Sequence, residues 1–241
     1  MPYKNIKQLS GHPLIAYTIA AALQSGVYSG VFCSSDDPET LEIAVSYGAG
    51  PILCPLEIAH QDNDPDIKWV LHAMDIVVAG DDAFSILRPT SPFRQPETIK
   101  RAWAQFLSEG RDSYDSLRAV ERVSQHPNKM WTRRGAYITP YAPLTIGGIN
   151  PAPQPAHSVP TQILPEVLVQ NASLEMAWTK TLTRYKNISG ENIMPFFTEG
   201  FEGFDINRPI DWLIAEQLIA NGEATLPEIA ERPKRARKVS V

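Results

Sequence analysis

Through its first 120 residues the chain alternates short apolar runs with helical ones, and this constrains the fold more than any other feature. A β-α-β-α order calls for a mainly parallel sheet, because a crossover helix brings the chain back to start the next strand in the same direction. Helices on both faces make that sheet doubly wound. Pro13 and Gly26 bracket a helix over Leu14 to Ser25, with Leu14, Ile15, Ile19, Ala22 and Leu23 on one face. Gly30 to Ser34 reads as a buried strand. Asp37 is placed to cap the next helix, Pro38 to start it, and Gly48 to end it after Glu39 to Tyr47. Ile52-Leu53 is a short strand, and Asp64-Pro65 opens a helix through Trp69, Leu71 and Met74 that ends before Gly80. Ala83 to Leu87 is the next strand. In the helix Pro96 to Ser108, Ile99, Trp103, Phe106 and Leu107 fall at helical spacing. Leu117 to Val120 reads as a further strand.

From about Ser124 the rhythm fails, and prolines 140, 143, 151, 153, 155, 160 and 165 crowd the chain. A long irregular stretch inside a compact domain is a lid, an arm or a disordered loop. Regular structure resumes over Val167 to Trp178. Ile193 to Phe197 is strand-like, and Pro209 to Ala220 is a closing helix stopped by Asn221-Gly222. The expected organisation is one domain over 1–225, with an arm or lid at about 124–178, followed by a basic tail at 226–241, disordered and solvated.

Composition excludes several classes. No apolar run approaches the roughly 18 residues of a membrane span, and Met1 to Asn5 carries no signal-peptide core. Cys33 and Cys54 are the only cysteines and lie at the ends of apolar runs, which points to a reduced, cytoplasmic protein without disulfides. Their spacing suits no metal, and they carry no catalytic role. The net charge is −5, yet Arg232, Lys234, Arg235, Arg237 and Lys238 supply five of the 22 basic residues. An acidic body with a short basic tail argues against a general nucleic-acid surface, and no membrane partner is expected.

The segment Leu87-Arg88-Pro89-Thr90-Ser91-Pro92-Phe93-Arg94 joins a buried strand to a helix. Its two prolines fix φ and remove two donors, so the chain is stiff where the strand ends. Ligands of open α/β sheets bind beyond the carboxyl ends of the strands. Thr90, Ser91 and Arg94 at that place suit a polar, anionic ligand, or equally a capped strand-to-helix turn.

Taken together, six segments resemble the acylneuraminate cytidylyltransferases, the CMP-N-acetylneuraminate synthetase family. Lys4-Asn5-Ile6-Lys7 and Gly11 to Thr18 look like the end of that family's nucleotide loop and its first helix. Ser34-Ser35-Asp36-Asp37 is similar to its second strand end, and Arg88 to Arg94 resembles its Q-P-T-S-P-L-R. His126-Pro127 with Lys129 to Trp131 matches H-P-x-K-x-W. Gln162 to Pro165 followed by Asn171 is similar to Q-x-L-P and its Asn. Phe204-Asp205-Ile206-Asn207, with Asp211 beyond, is similar to I-D-I-D-T-x-x-D. The matches run in order from residue 1 to about 220.

The resemblance implies a Rossmann-like nucleotidyltransferase fold that moves CMP from CTP to an acidic, sialic-acid-like sugar and releases pyrophosphate. It also implies Mg²⁺, and a homodimer in which the Pro-rich arm covers the neighbouring site. Lys4 and Arg94 would then act on the phosphates. Arg88, Thr90, Ser91, Gln162 and Asn171 would bind substrate, and Asp205 and Asp211 would hold the metal. Each has a plainer reading. Lys4 reads also as a solvated terminal lysine, and Arg94 as a partner of Asp36 or Asp37. Asp211 reads as a dipole-favoured first-turn residue with Asn207 as the helix cap. Gln162 and Asn171 read as loop hydrogen bonders, and His126 as the organiser of a turn.

The departures are specific. The family's first strand and its A-R-x-x-S-K-G loop precede the first matched residue, so the expectation is an N-terminally shortened version whose neighbouring backbone groups lie unpaired. Arg88 stands where the family has Gln, and Thr161 where Arg precedes Q-x-L-P. Asn207 replaces the second Asp, and Cys54 falls where a base-contacting Arg sits. The alternative is therefore a catalytically impaired descendant that binds nucleotide or sugar, or only dimerises.

Overall fold

The computed structural model describes residues 1, 3–59, 65–77, 83–147 and 153–229. By internal contacts the chain forms two compact units, Met1–Ala119 together with the chain from Asn171 onward, and Val120–Gln170.

The first unit opens with a 3-10 turn at Lys4–Ile6 and a small antiparallel ribbon of β1 (Gln8–Leu9) and β2 (His12–Pro13). Helix α1 (Leu14–Ser25) ends at Gly26, whose φ of 64° is the left-handed conformation that glycine adopts without strain. Every α1 residue from Leu14 to Ala22 is buried, as in a helix packed on several sides. The strand β3 (Phe32–Ser35) is followed by α2 (Pro38–Ser46) and returns as β4 (Gly50–Leu53), parallel to β3 with Cys33 opposite Pro51. Asp37 caps α2 as expected, accepting from the N–H groups of Glu39 at 3.3 Å and Thr40 at 3.0 Å. A short α3 (Leu56–Ala59) precedes α4 (Ile67–Ile76), which follows Asp66. The expected helix start at Asp64 lies outside the described residues. Next come β5 (Ala83–Ile86), α5 (Pro96–Ser108) and β6 (Ser116–Arg122).

The Val120–Gln170 unit falls where the rhythm broke, and it is built from short hairpins. Strands β7 (Trp131–Arg134) and β8 (Tyr137–Pro140) pair antiparallel around Gly135, and so do β9 (Thr145–Ile146) and β10 (Gln154–Pro155). Ala156, Val159 and Leu164 form its small core. His126 organises a turn: its Nδ1 accepts from the N–H of Asn128 at 3.1 Å, and its Nε2 lies 2.8 Å from the Pro165 carbonyl oxygen.

The chain continues through β11 (Leu168–Trp178), α6 (Lys180–Arg184), β12 (Ile193–Phe197) and α7 (Pro209–Ala220). The main sheet has the order β12-β6-β11-β5, with β11 antiparallel to β5, so that Ile86 faces Glu175 and Ala83 faces Trp178. The α/β sheet system thus contains a parallel pair, β3 with β4, and an antiparallel one, β11 with β5. Leu117, Leu174, Met176 and Phe196 from the sheet pack with Ile99, Ala102 and Phe106 of α5, and Phe106 stacks on Trp178 with ring centroids 4.6 Å apart. A second cluster joins Leu9, Leu14, Tyr17, Phe93, Ile206, Trp212 and Ala215. It fastens the Thr90 turn to the start of α7.

Residues 226–229, assigned to the tail by composition, are packed on the domain. Leu226 and Ile229 pack against this second cluster, and Gln24 donates to the Glu228 carbonyl at 2.6 Å. Apolar residues at 226 and 229 outweigh the prolines around them. The basic residues of 230–241 lie outside the described residues.

Candidate active site at the Thr90 turn

The turn after β5 is held from beneath by Arg94. That guanidinium is 1 % exposed; it donates to Thr18 Oγ1 at 2.8 Å, to the Ser173 carbonyl, and to the Arg88 carbonyl at 3.4 Å. Burial lowers its pKa to about 10, which leaves it charged at neutral pH. The expectation of an anion clamp, or of an ion pair with Asp36 or Asp37, is corrected here. Its two terminal nitrogens are engaged by three acceptors inside the protein, which is a structural role beneath the turn.

Thr90 and Ser91 are both buried. The N–H of Ile206 donates to the Thr90 carbonyl at 2.9 Å, so the turn and the segment Asp205-Ile206-Asn207 lie side by side. Lys4 spans the same segment: its Nζ donates to the Ile206 carbonyl at 2.9 Å and to Asn207 Oδ1 at 3.0 Å. Asn207 in turn donates from Nδ2 to the Asp205 carboxylate. Lys4, Thr90, Ser91 and Asp205, distant in sequence, therefore share one locality. Lys4 is not a free terminal lysine.

The side-chain atoms of this region that are buried without a hydrogen-bond partner among the described residues include Asn5 Oδ1, Ser91 Oγ and Asp205 Oδ1, and Arg94 Nε beneath the turn. Buried polar atoms are seldom left so. An acceptor, a hydroxyl and a carboxylate oxygen together make a receptive set for a polar ligand or a cation.

Asp211 has other duties. Its Oδ2 accepts from the N–H groups of Asn207 at 3.1 Å and Arg208 at 2.7 Å, while its Oδ1 receives the Arg208 guanidinium at 2.9 Å. These Arg208 and backbone hydrogen bonds bring its pKa down to about 2. It caps α7 from within the first turn, where a carboxylate also favours the helix dipole. Among the described residues no group of three His, Cys, Asp or Glu side chains is arranged to hold a metal. Asp205 is the carboxylate with an oxygen to spare.

Arg88 sits in a chain of alternating charge. Its Nη2 lies 2.5 Å from Asp66 Oδ2 and 3.5 Å from Glu175 Oε1. Glu175 also pairs with Arg118, whose Nη2 donates to Ser189 Oγ at 2.5 Å. Burial pulls the Arg118 pKa down to about 10. Sequence reasoning missed Asp66, Arg118 and Glu175. The signal for two of them was present: a single charge of opposite sign inside each apolar run, Ser116–Val120 and Leu174–Trp178, marks a buried pair on neighbouring strands.

Asn171 donates to Thr198 Oγ1 at 2.9 Å and accepts from the N–H of Ser173 at 3.2 Å, which is the hydrogen-bonding role. Gln162 lies exposed in a 3-10 turn of the Val120–Gln170 unit. Cys33 and Cys54 are free thiols, and burial raises both, Cys33 to about 11, which keeps them protonated and inert. A cavity of about 950 Å³ is bounded by Asn5, Ser34–Asp36, Cys54, Arg88 and Pro89 among others. Ser91 and Asp205 are not among its lining residues.

Solved structures place this architecture in a class. CMP:2-keto-3-deoxy-manno-octonic acid synthetase complexed with CTP superposes with a TM-score of 0.63 at 13% identity, over 92% of this chain and 93% of its own. The 2-C-methyl-D-erythritol 4-phosphate cytidylyltransferase of Thermus thermophilus gives 0.53 at 13% identity, over 91% and 95%. The fold is that of the α/β nucleotidyltransferases.

Sequence narrows the class to a family. The cytidylyltransferase family profile matches residues 1–131, and the chain belongs to that family. The CMP-N,N'-diacetyllegionaminic acid synthase of Legionella pneumophila is 30% identical over 239 residues, covering 94% of this chain and 93% of its own length. The N-acylneuraminate cytidylyltransferase of Escherichia coli is 40% identical over 99 residues, 41% of this chain and 23% of that protein.

Proposed function

We infer that this protein transfers CMP from CTP to a hydroxyl of an acidic, sialic-acid-like sugar with release of pyrophosphate. The observation that carries this is the convergence of Lys4, Ser91 and Asp205 through the Ile206–Thr90 hydrogen bond, in a chain of the cytidylyltransferase family. Relatives named for legionaminic, neuraminic and pseudaminic acids all act on acidic sugars. The match to the first extends across nearly all of both chains, which favours an enzyme over an impaired binding protein.

Phosphoryl transfer of this kind needs positioning and charge neutralisation more than covalent help. Lys4 brings a point charge to the phosphates. Ser91 Oγ, without a protein partner among the described residues, is free to hydrogen-bond the nucleotide or the sugar. Arg94 acts beneath them by fixing the turn. Arg88 offers its guanidinium to the acceptor carboxylate in place of Asp66. Asp205 Oδ1, buried and unpartnered among the described residues, fits a Mg²⁺ ligand. When bound, such an ion neutralises phosphate charge through oxygen ligands, usually with one or two protein carboxylates.

A homodimer is part of the proposal. The Val120–Gln170 unit exposes Trp131, Tyr137, Ile138 and Tyr141, large apolar side chains that a second subunit would cover. Cytoplasmic location agrees with two free cysteines and with the absence, among the described residues, of a helix able to cross a membrane.

The test is pyrophosphate release from CTP with Mg²⁺ and a panel of acidic sugars, with neutral sugars as controls. Release with at least one acid, lost in Asp205→Asn, is expected. A folded protein that releases none with any acceptor refutes the reading.

A further inference from the structure

A carboxylate shared by two arginines stands behind Arg88. Glu175 lies on β11 opposite Ile86 of β5, which precedes Arg88 by two residues. Its Oε2 pairs with Nη1 of Arg118 on β6, the strand on the other side of β11, and its Oε1 lies 3.5 Å from Arg88 Nη2. Arg118 is anchored in turn, with Nη2 donating to Ser189 Oγ at 2.5 Å and to the Ile188 carbonyl at 3.4 Å. A buried ion pair stabilises a fold no more than apolar side chains of its volume, and often less. Core packing therefore does not account for Arg118 and Glu175.

The two acids on Arg88 Nη2 are unlike. The Asp66 side chain is 33 % exposed and that of Glu175 is 6 % exposed. An exposed pair is weak and gives way readily, whereas pulling Glu175 from its arginines leaves buried charge uncompensated. A ligand carboxylate therefore displaces Asp66 and leaves Glu175 in place. Nη2 carries two hydrogens, so one stays with Glu175 while the other passes from Asp66 to the ligand. A long arginine stem has much rotamer freedom to lose on binding. A fixed carboxylate behind it removes that freedom beforehand.

We propose that Glu175, fixed by Arg118, is a positioning residue that aims the Arg88 guanidinium at the carboxylate of the acceptor sugar. This rests on the reading of Arg88 as the acceptor group and adds the two residues that act through it.

The test replaces the pair together, Arg118→Met with Glu175→Leu, which strands no charge and leaves the net charge behind Arg88 unaltered. One readout is the order parameter of the Arg88 Nε–H from nitrogen relaxation, its signal assigned with Arg88→Gln. The other is initial rates with the panel acid that is turned over. The pair variant should keep its unfolding midpoint and drop the Arg88 order parameter from the rigid range to under about 0.6. It should raise acceptor KM about tenfold with kcat and the KM for CTP unchanged. In an Arg88→Gln background the same change should leave acceptor KM where it was. A second variant, Glu175→Asp, keeps the charge and draws the carboxylate back by one methylene. It should move both readouts the same way, and it decides the matter if the pair variant does not fold. An unchanged order parameter in the folded variant overturns the proposal, as does an acceptor KM that rises as much without Arg88. The order parameter needs no turnover. No CMP transfer by the parent, with Arg88 loosened in the variant, therefore sinks the CMP-transfer reading alone, and transfer with an unmoved Arg88 sinks the positioning role alone.

Discussion

The N–H of Ile206 donates to the carbonyl of Thr90 across 2.9 Å, tying the strand tip after β5 to the loop before α7. Around that bond the protein collects Ser91, Asp205 and Lys4. The bond uses only main chain, so no side-chain substitution removes it directly, and the neighbouring side chains are available for chemistry. Their roles are separable by mutation.

Ser91→Ala distinguishes a ligand group from a structural one. Ser91 Oγ makes no hydrogen bond among the described residues, so its removal breaks no contact seen there. Stability should stay within about 0.5 kcal/mol of the parent, while kcat/KM for CTP falls on the order of tenfold or more. A melting temperature and a steady-state rate from one preparation check this. A large stability loss with retained activity would make Ser91 a hidden cap.

Arg94→Met should do the opposite. It takes the Arg94 donors away from the Ser173 carbonyl and Thr18 Oγ1 in a buried place. The cost should be about 2–4 kcal/mol in urea unfolding, from acceptors left without donors. Arg94→Lys should recover little, since an ammonium lacks the fork that reaches separated acceptors.

On the proposed reading of Arg88 as the group that meets the acceptor carboxylate, Asp66 is its competitor, since it holds the Arg88 guanidinium at 2.5 Å. Asp66→Asn should lower KM for the acidic acceptor several-fold and leave KM for CTP unchanged. Glu175→Gln should behave differently, because it leaves Arg118 buried without its counter-charge and destabilises the sheet. Initial rates over an acceptor series, with unfolding curves for both variants, separate the two. An unchanged acceptor KM in Asp66→Asn would remove Arg88 from the acceptor site.

Local signals made the frame of this protein legible. Pro13 and Gly26, Asp37 and Pro38, and Pro96 set helix ends through chemistry that acts within a turn, and those helices stand where the residues place them. The hairpins of Val120–Gln170 were hidden because β7 and β8 are short and expose Trp131, Tyr137 and Ile138, so the usual inside-outside alternation is absent. The reversal of β11 was equally illegible, since strand direction is settled by pairing far along the chain. At the site, the Thr90 turn and Asp205 announced themselves by motif. Arg94 looked like a ligand group because sequence shows its charge and hides its 1 % exposure. Asp66 gave no sign at all, being one acid among several in a polar stretch.

The last prediction concerns pH and separates the two acids of the closing segment. The Asp211 pKa is about 2 in the folded protein, against an ordinary 3.8. A depressed carboxylate stabilises the fold above its unfolded pKa, and that contribution is lost as pH falls through the folded value. The loss should therefore occur between about pH 4 and pH 2. Asp211→Asn should be less stable than the parent at pH 7, and the gap should close towards pH 2, as followed by thermal unfolding across that range. Because its oxygens are engaged by Arg208 and two backbone donors, chelation with EDTA should leave that gap unaltered. Asp205→Asn should instead weaken the Mg²⁺ dependence of CMP transfer and leave the acid limb in place. If EDTA shifts the stability of the parent and Asp211→Asn abolishes the shift, Asp211 belongs to a metal site and its role as a helix cap is secondary.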